Sequence, residues 1–412
     1  MTYRPFPRPL RTAVRGPAPS GRRRGAAAVA AASAALALAA VLPPASASAS
    51  PADATPAAEA RRSPEGLRKA LERVVAEERL PGALASTLDR EGRTRTHTAG
   101  IGDLRTGAKV PADGQVRVGS NTKTFTATVV LQLVGEGRVE LDAPVDRYLP
   151  DLLRGDGIDG RVITVRQLLQ HTSGLPNYTA QLVEAVFGKG RHTYYQPRDL
   201  IDLALARKAR FAPGTDWEYS NTNYVVAGLL IEKVTGRPFA EQVRRRVIDR
   251  IGLRHTYFPA VGEERLREAH PRGYQVPEPG APLEDITEVD PSWGWSAGQL
   301  VSTPGDLNRF FSALLGGRLL EPAQLAQMRT TVEVDGPGWL PGTRYGLGLT
   351  SAPLSCGGLQ WGHGGNIPGY HSFPGATDDG RAATVVVTVN RPPAPDSFDR
   401  ADALIDAALC GR

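Results

Sequence analysis

Strand-like runs lie at both ends of this chain and helix-like runs fill its middle, which constrains the fold more than any single motif. Near the start, Gly82–Thr87 and Thr96–Gly100 read as the strands of a hairpin. Near the end, Leu359–His363, Tyr370–Ala376 and the β-branched run Thr384–Val389 read as strands, the last two joined by a turn at Asp379-Gly380. Between them helices are expected from Asn121 to about Glu136, from Val165 to Gln170, from Pro197 to Arg207, and from Asn221 to Thr235 ahead of Gly236. Thr164 and Gln167 have the spacing of a capping box. An amphipathic helix, Pro64–Arg79 with Leu67, Leu71, Val74 and Val75 on one face, precedes the first strand, and a helix from Asp396 to Leu409 follows the last. The two ends therefore build one sheet around a helical insertion. The expected fold is α+β: an antiparallel sheet flanked by helices, with a sheet lobe of residues 63–115 and 295–412 and a mainly helical lobe of residues 116–294.

The first 49 residues read as a targeting segment. Seven arginines and no acid lie between Arg4 and Arg24, Gly25–Leu42 is apolar and rich in alanine, and Ala45-Ser46-Ala47 or Ala47-Ser48-Ala49 offers a small-residue cleavage site. The alanine run falls short of the roughly 20 strongly apolar residues of a membrane span, so a cleaved export signal is expected rather than an anchor. Residues 50–62, with their run of Ala and Pro, are expected to be a disordered linker. The whole chain has 49 basic against 43 acidic side chains, and loss of the seven arginines leaves 42 against 43. No basic field remains to attract nucleic acid. In an oxidising compartment the two cysteines, Cys356 and Cys410, are expected to form one disulfide. It would tie the segment ahead of the Leu359 strand to the C-terminal helix.

One segment combines a nucleophile with a base. In Ser120-Asn121-Thr122-Lys123 the serine and lysine are one helical turn apart, so a helix sets the amine beside the hydroxyl. Gly119 precedes them and the apolar-rich run Phe125–Val134 follows. The free backbone N–H groups at the opening of a helix would also face whatever the serine attacks, which suits a developing oxyanion. Tyr219-Ser220-Asn221 follows later, after a Pro213-Gly214 turn, and His363-Gly364-Gly365 ends a strand-like run.

In that order the three segments resemble the active-site motifs of the serine penicillin-recognising enzymes, the β-lactamases and penicillin-binding proteins. Leu168–Leu175, Ser296-Ala297-Gly298, Ser302–Leu307, Tyr345-Gly346-Leu347-Gly348-Leu349 and Gly362–Tyr370 look like further landmarks in family order. The likeness covers roughly Ser63 to Cys410. The tyrosine-type second motif and histidine-type third motif look most like the secreted streptomycete D-alanyl-D-alanine carboxypeptidases, with class C β-lactamases as near relatives.

The resemblance implies a β-lactamase/transpeptidase-like fold and an acyl-enzyme on Ser120. Lys123 would activate the serine, and Tyr219 would carry a proton to the leaving amine. Asn221 would orient Lys123 and hold the substrate amide, and the Asn366 backbone N–H would be the second oxyanion donor. His363 stands where relatives carry a cation beside the substrate carboxylate. Gly364 and Gly365 leave room for a substrate backbone along the strand edge, and Trp293 is a candidate pocket wall. His171 reads as structural.

Two departures bear on the substrate. Thr350 stands where the streptomycete carboxypeptidase has Arg, and Gly364 and Asn366 replace its threonines. An Arg binds a terminal carboxylate bidentately, so Arg344 becomes the candidate replacement. The His and Cys residues lack metal-site spacing and no phosphate-binding glycine loop occurs, so neither metal nor cofactor is expected. The leading reading is a secreted, cell-wall-associated serine hydrolase, a monomer acting on small peptides, β-lactams or peptidoglycan, with D-alanyl-D-alanine carboxypeptidase foremost. A β-lactamase, an esterase or D-aminopeptidase on the same fold, and a penicillin-binding sensor without turnover are the alternatives.

Overall fold

The hairpin written in the sequence is the seam at which the two ends of the chain meet. The computed structural model describes residues 64–278, 280–334, 339–390 and 399–411; the expected export signal (1–49) and linker (50–62) lie outside them. Strand β1 (Gly82–Leu88) pairs antiparallel with β2 (Thr94–Asp103) on one side. On its other side it pairs with β10 (Ala382–Val387), at Leu84↔Val386 for example. The sheet extends past β2 to β3 (Ala108–Lys109), and past β10 to β9 (Tyr370–Ala376) and β7 (Leu359–Gly362). It continues through β6 (Thr350–Pro353) and β5 (Arg344–Tyr345) to β4 (Val332–Glu333), while β8 (Gly365–Ile367) adds to β9. All these pairings are antiparallel.

Both faces of this sheet are covered, which is why β10 is buried along its whole length. On one face, helix α1 (Pro64–Glu77) packs Leu67, Leu71 and Val74 together with Leu404, Ile405 and Leu409 of the C-terminal helix (Asp399–Cys410) against Val385 and Val387. On the other, the core formed by α2 (Thr122–Gly135) and the Pro304–Leu315 helix joins Phe125, Phe310, Leu84 and Val386 in one cluster. Helix α1 stops two residues earlier than expected, and Arg79 beyond it takes a left-handed φ of 53°. The predicted capping box is present: Thr164 accepts from the N–H of Gln167, whose side chain accepts from the N–H of Thr164, at the start of α3 (Val165–Gln170).

The Leu359–His363 strand is interrupted. Its ladder ends at Gly362, His363 turns its ring inward, and the chain rejoins the sheet at Gly365. A Cβ on Gly362 would lie 2.3 Å from the carbonyl oxygen of Pro374, so this close approach requires glycine. All described residues fall in one compact unit, and we keep the lobe limits at 115 and 294 as a proposal. Among the described residues, no helix is long and apolar enough to cross a membrane.

Cys356 and Cys410 form a disulfide across 54 residues, joining the turn before β7 to the C-terminal helix. Closing a loop of that length restricts the unfolded chain by roughly 4 kcal/mol at most. Cys410→Ser is accordingly expected to lower the unfolding free energy by about 2–4 kcal/mol in denaturant titration, without changing the far-ultraviolet circular dichroism.

Candidate active site

Ser120 lies in a turn that only glycine can open. A 3₁₀ turn, Gly119–Asn121, leads into α2, and Gly119 has a φ of 50°. A Cβ there would stand 2.9 Å from the carbonyl oxygen and 3.0 Å from the nitrogen of Asn366, so the serine turn and β8 approach backbone to backbone. Counted back from the two-residue connection Pro368-Gly369, Asn366 falls at a register position opposite His371 where an antiparallel ladder turns the N–H away from the partner strand.

Helix α2 is buried on nearly every side, and two of its threonines find partners across the fold. Thr124 and Thr126 donate to the carbonyls of Gly348 and Ser296, both at 2.7 Å. The same burial traps Lys123, which is 0% exposed. Its Nζ lies 2.9 Å from Ser120 Oγ and 2.8 Å from the carbonyl oxygen of Ala297. Burial alone holds this amine well below the ordinary lysine range. An uncharged amine carries a lone pair, which the serine proton can enter.

Tyr219 sits on the extended segment leading into α4 (Asn221–Thr235). Its ring centroid is 4.9 Å from Lys123 Nζ. Burial raises the phenol above its ordinary pKa, while the hydrogen bond with Ser120 acts in the other direction. Tyr219 is therefore a protonated phenol, suited to donating rather than to serving as a phenolate base. Around it Trp217, Trp339 and Tyr345 form an aromatic wall, with ring centroids 5.7–6.2 Å apart among those three.

Four sequence expectations meet a different geometry. His363 is neutral rather than cationic: it is 2% exposed, and burial pushes its pKa down to about 3. Its Nε2 meets Tyr345 Oη at 2.9 Å and its Nδ1 meets the Gly364 carbonyl at 2.7 Å. Asn221 does not orient the lysine. It is the first residue of its helix, after Ser220 at the cap, and its side-chain amide meets Thr179 Oγ1 at 3.5 Å, while Lys123 is held by Ala297. Arg344 points elsewhere, because alternate strand residues face opposite sides and its neighbour Tyr345 occupies the site. Arg344 binds Glu333 Oε1 at 3.0 Å and Thr331 Oγ1 at 2.9 Å. Trp293 packs between two apolar clusters, and its carbonyl accepts a 2.6 Å hydrogen bond from Tyr178.

Gly364 and Asn366 are exposed along the strand edge, next to the serine turn. Tyr345, Trp217 and the Ala297 carbonyl join the site without a sequence signal that marks them as site groups. Tyr345 and Ala297 lay within the landmark stretches, but nothing in a linear pattern brings them to Ser120.

Residues 67–409 match the Beta-lactamase family, and the chain belongs to it. Its fold is that of the family, and it brings Ser120, Lys123 and Tyr219 together. The chain is 27% identical to the putative penicillin-binding protein PbpX of Bacillus subtilis, over 65% of this chain and 60% of that protein. It thus spans about three-fifths of that relative. It is 31% identical to esterase EstB of Burkholderia gladioli, over 71% of this chain and 82% of that protein. Among solved structures, a D-stereospecific amidohydrolase from Streptomyces superposes with a TM-score of 0.76 at 41% identity, covering 84% of this chain and 98% of that one.

An uncharged buried lysine is a stability cost as well as a base. Its folded-state pKa lies below its unfolded one, so between those values the unfolded chain binds the extra proton and stability rises with pH. Lys123→Met is expected to abolish that rise when unfolding free energies of the two proteins are compared from pH 6 to 9. The same variant should lose about 10²–10⁴-fold in the rate of serine acylation.

Proposed function

We propose that this protein is an exported serine amidohydrolase or esterase that forms an acyl-enzyme at Ser120 and releases an uncharged leaving group. In the reaction, the neutral amine of Lys123 takes the Ser120 proton as Oγ bonds to the substrate carbonyl carbon. The N–H groups of Ser120 and Asn366 hold the resulting oxyanion. The proton on Lys123 passes to Tyr219 as the phenol gives its own to the leaving amine or alkoxide, so the bond breaks without forming an amide anion. Water then enters by the same route in reverse, and the acyl group leaves as an acid. The amide of Asn221 and the exposed edge at Gly364 and Asn366 hold the acyl side, while Gly365 is buried where a Cβ would lie 2.0 Å from the Val118 carbonyl oxygen.

The single observation behind the uncharged leaving group is the state of the third motif. A peptide ending in a free carboxylate needs a cation opposite it, whereas His363 is neutral, Arg344 is engaged by Glu333 and Thr350 is tied to the Gly362 carbonyl at 2.9 Å. The likeness to an esterase and to a D-stereospecific amidohydrolase supports the same choice. D-alanyl-D-alanine carboxypeptidase and β-lactamase activity rank below it on this ground. Export with cleavage after residue 49, a monomeric state and action at the cell wall belong to the same proposal.

Initial rates on a D-aminoacyl amide, its methyl ester and an acyl-D-alanyl-D-alanine peptide test this directly. The amide and ester are expected to give kcat/KM values at least about tenfold above the free-acid peptide, the scale of one charge-assisted contact. A preference for the free-acid peptide, or turnover that survives Ser120→Ala, would overturn the proposal.

A further inference from the structure

Three buried side chains lie between the segments that carry the reacting groups, and the reaction as written leaves them idle. His171 caps α3 with a left-handed φ of 62°, and Tyr345 and His363 follow it in space though not in sequence. The backbone N–H of Ser220 donates to His171 Nδ1 at 3.2 Å. Asn223 Nδ2 approaches the same nitrogen at 2.9 Å, and Ser173 orients that amide by donating to Asn223 Oδ1. Nδ1 is therefore the acceptor, and the ring proton of His171 sits on Nε2. From there it points to Tyr345 Oη, 3.1 Å away. Tyr345 in turn spends its proton on His363 Nε2 at 2.9 Å, which leaves His363 protonated at Nδ1 and donating to the Gly364 carbonyl at 2.7 Å.

We propose that His171, Tyr345 and His363 are positioning residues, a one-way chain of hydrogen bonds from the Ser220 N–H to the Gly364 carbonyl that fixes Tyr219 relative to the oxyanion strand. This rests on the acyl-transfer reading above. Both ends are backbone groups that cannot exchange donor for acceptor, so the direction of the chain is fixed. Tyr219 immediately precedes Ser220, and its ring lies 4.3 Å from that of His171 and 6.0 Å from that of His363. Gly364 stands two residues before Asn366 on the other side of the site. A shift in the chain would thus change the separation of proton donor and oxyanion donor.

A proton added to either imidazole would present a second donor where the chain requires an acceptor. Burial keeps that from happening; the titratable groups that face the chain are Lys123 from α2, Tyr224 from α4, and Tyr219. Glu218, whose N–H donates to the His171 carbonyl, pairs with Arg210, and Arg344 beside Tyr345 pairs with Glu333. Both imidazoles are held neutral by burial, that of His363 with a pKa of about 3.

Nitrogen-15 NMR of histidine-labelled protein tests the chain without any substrate. His171 is expected as the Nε2–H tautomer and His363 as the Nδ1–H tautomer, neither titrating between pH 5 and 8. Kinetics with p-nitrophenyl butyrate then test the role: Tyr345→Phe should lower kcat by about tenfold to a hundredfold with KM within twofold. If that variant does not fold, His363→Gln, which keeps an acceptor toward Tyr345, should recover most of the kcat that His363→Leu loses. A reversed tautomer, a titrating ring, or equal kcat in the Gln and Leu variants would overturn the proposal. Activity surviving Ser120→Ala would instead count against the acyl-transfer reading and leave the tautomers unaffected.

Discussion

A buried amine with no carboxylate beside it is the constraint on which the rest of this site depends. Among the described residues Lys123 contacts a hydroxyl, a carbonyl and two phenol rings, at Ser120, Ala297, Tyr219 and Tyr224. A charge would be expensive there, so the amine gives up its proton and becomes a base. The surrounding architecture keeps it dry: α2 runs through the core between sheet and helices, and the turn at Trp295–Gly298 closes over the amine. Trp295 adopts a φ of 30°, a conformation that side chains of its size rarely take, beside the carbonyl that binds Lys123.

The chemistry then divides between two kinds of group. Lys123 and Tyr219 have environments that push them in opposite directions, one toward the free base and the other toward the intact acid. Neither bears a charge before reaction begins. The third motif is also uncharged, since His363 spends both nitrogens inside the fold. A site built from neutral groups and an aromatic wall suits an amide or ester better than it suits an ionised peptide terminus.

Much of this was legible in the sequence because local rules wrote it. The capping box at Thr164 and Gln167, the hairpin of β1 and β2, and the turn of helix that joins Ser120 to Lys123 each depend on residues a few positions apart. The fold class followed from where strand and helix periodicities lay. Protonation states were not legible in the same way. The neutrality of His363 and His171 comes from burial by the whole fold, and their tautomers are set by Tyr345, 18 residues from His363, and by the N–H of Ser220, 49 residues from His171. Arg344 departs from expectation for a simpler reason: strand alternation sends it to the face opposite Tyr345.

The most direct test of a lysine base is the titration of Lys123 itself, followed by the NMR signals of isotope-labelled lysine side chains and assigned with Lys123→Met. An amine that stays uncharged at neutral pH and titrates far below its solvent-exposed counterparts is the predicted result. An amine still protonated at pH 8 would contradict a neutral Lys123 as the group that activates Ser120.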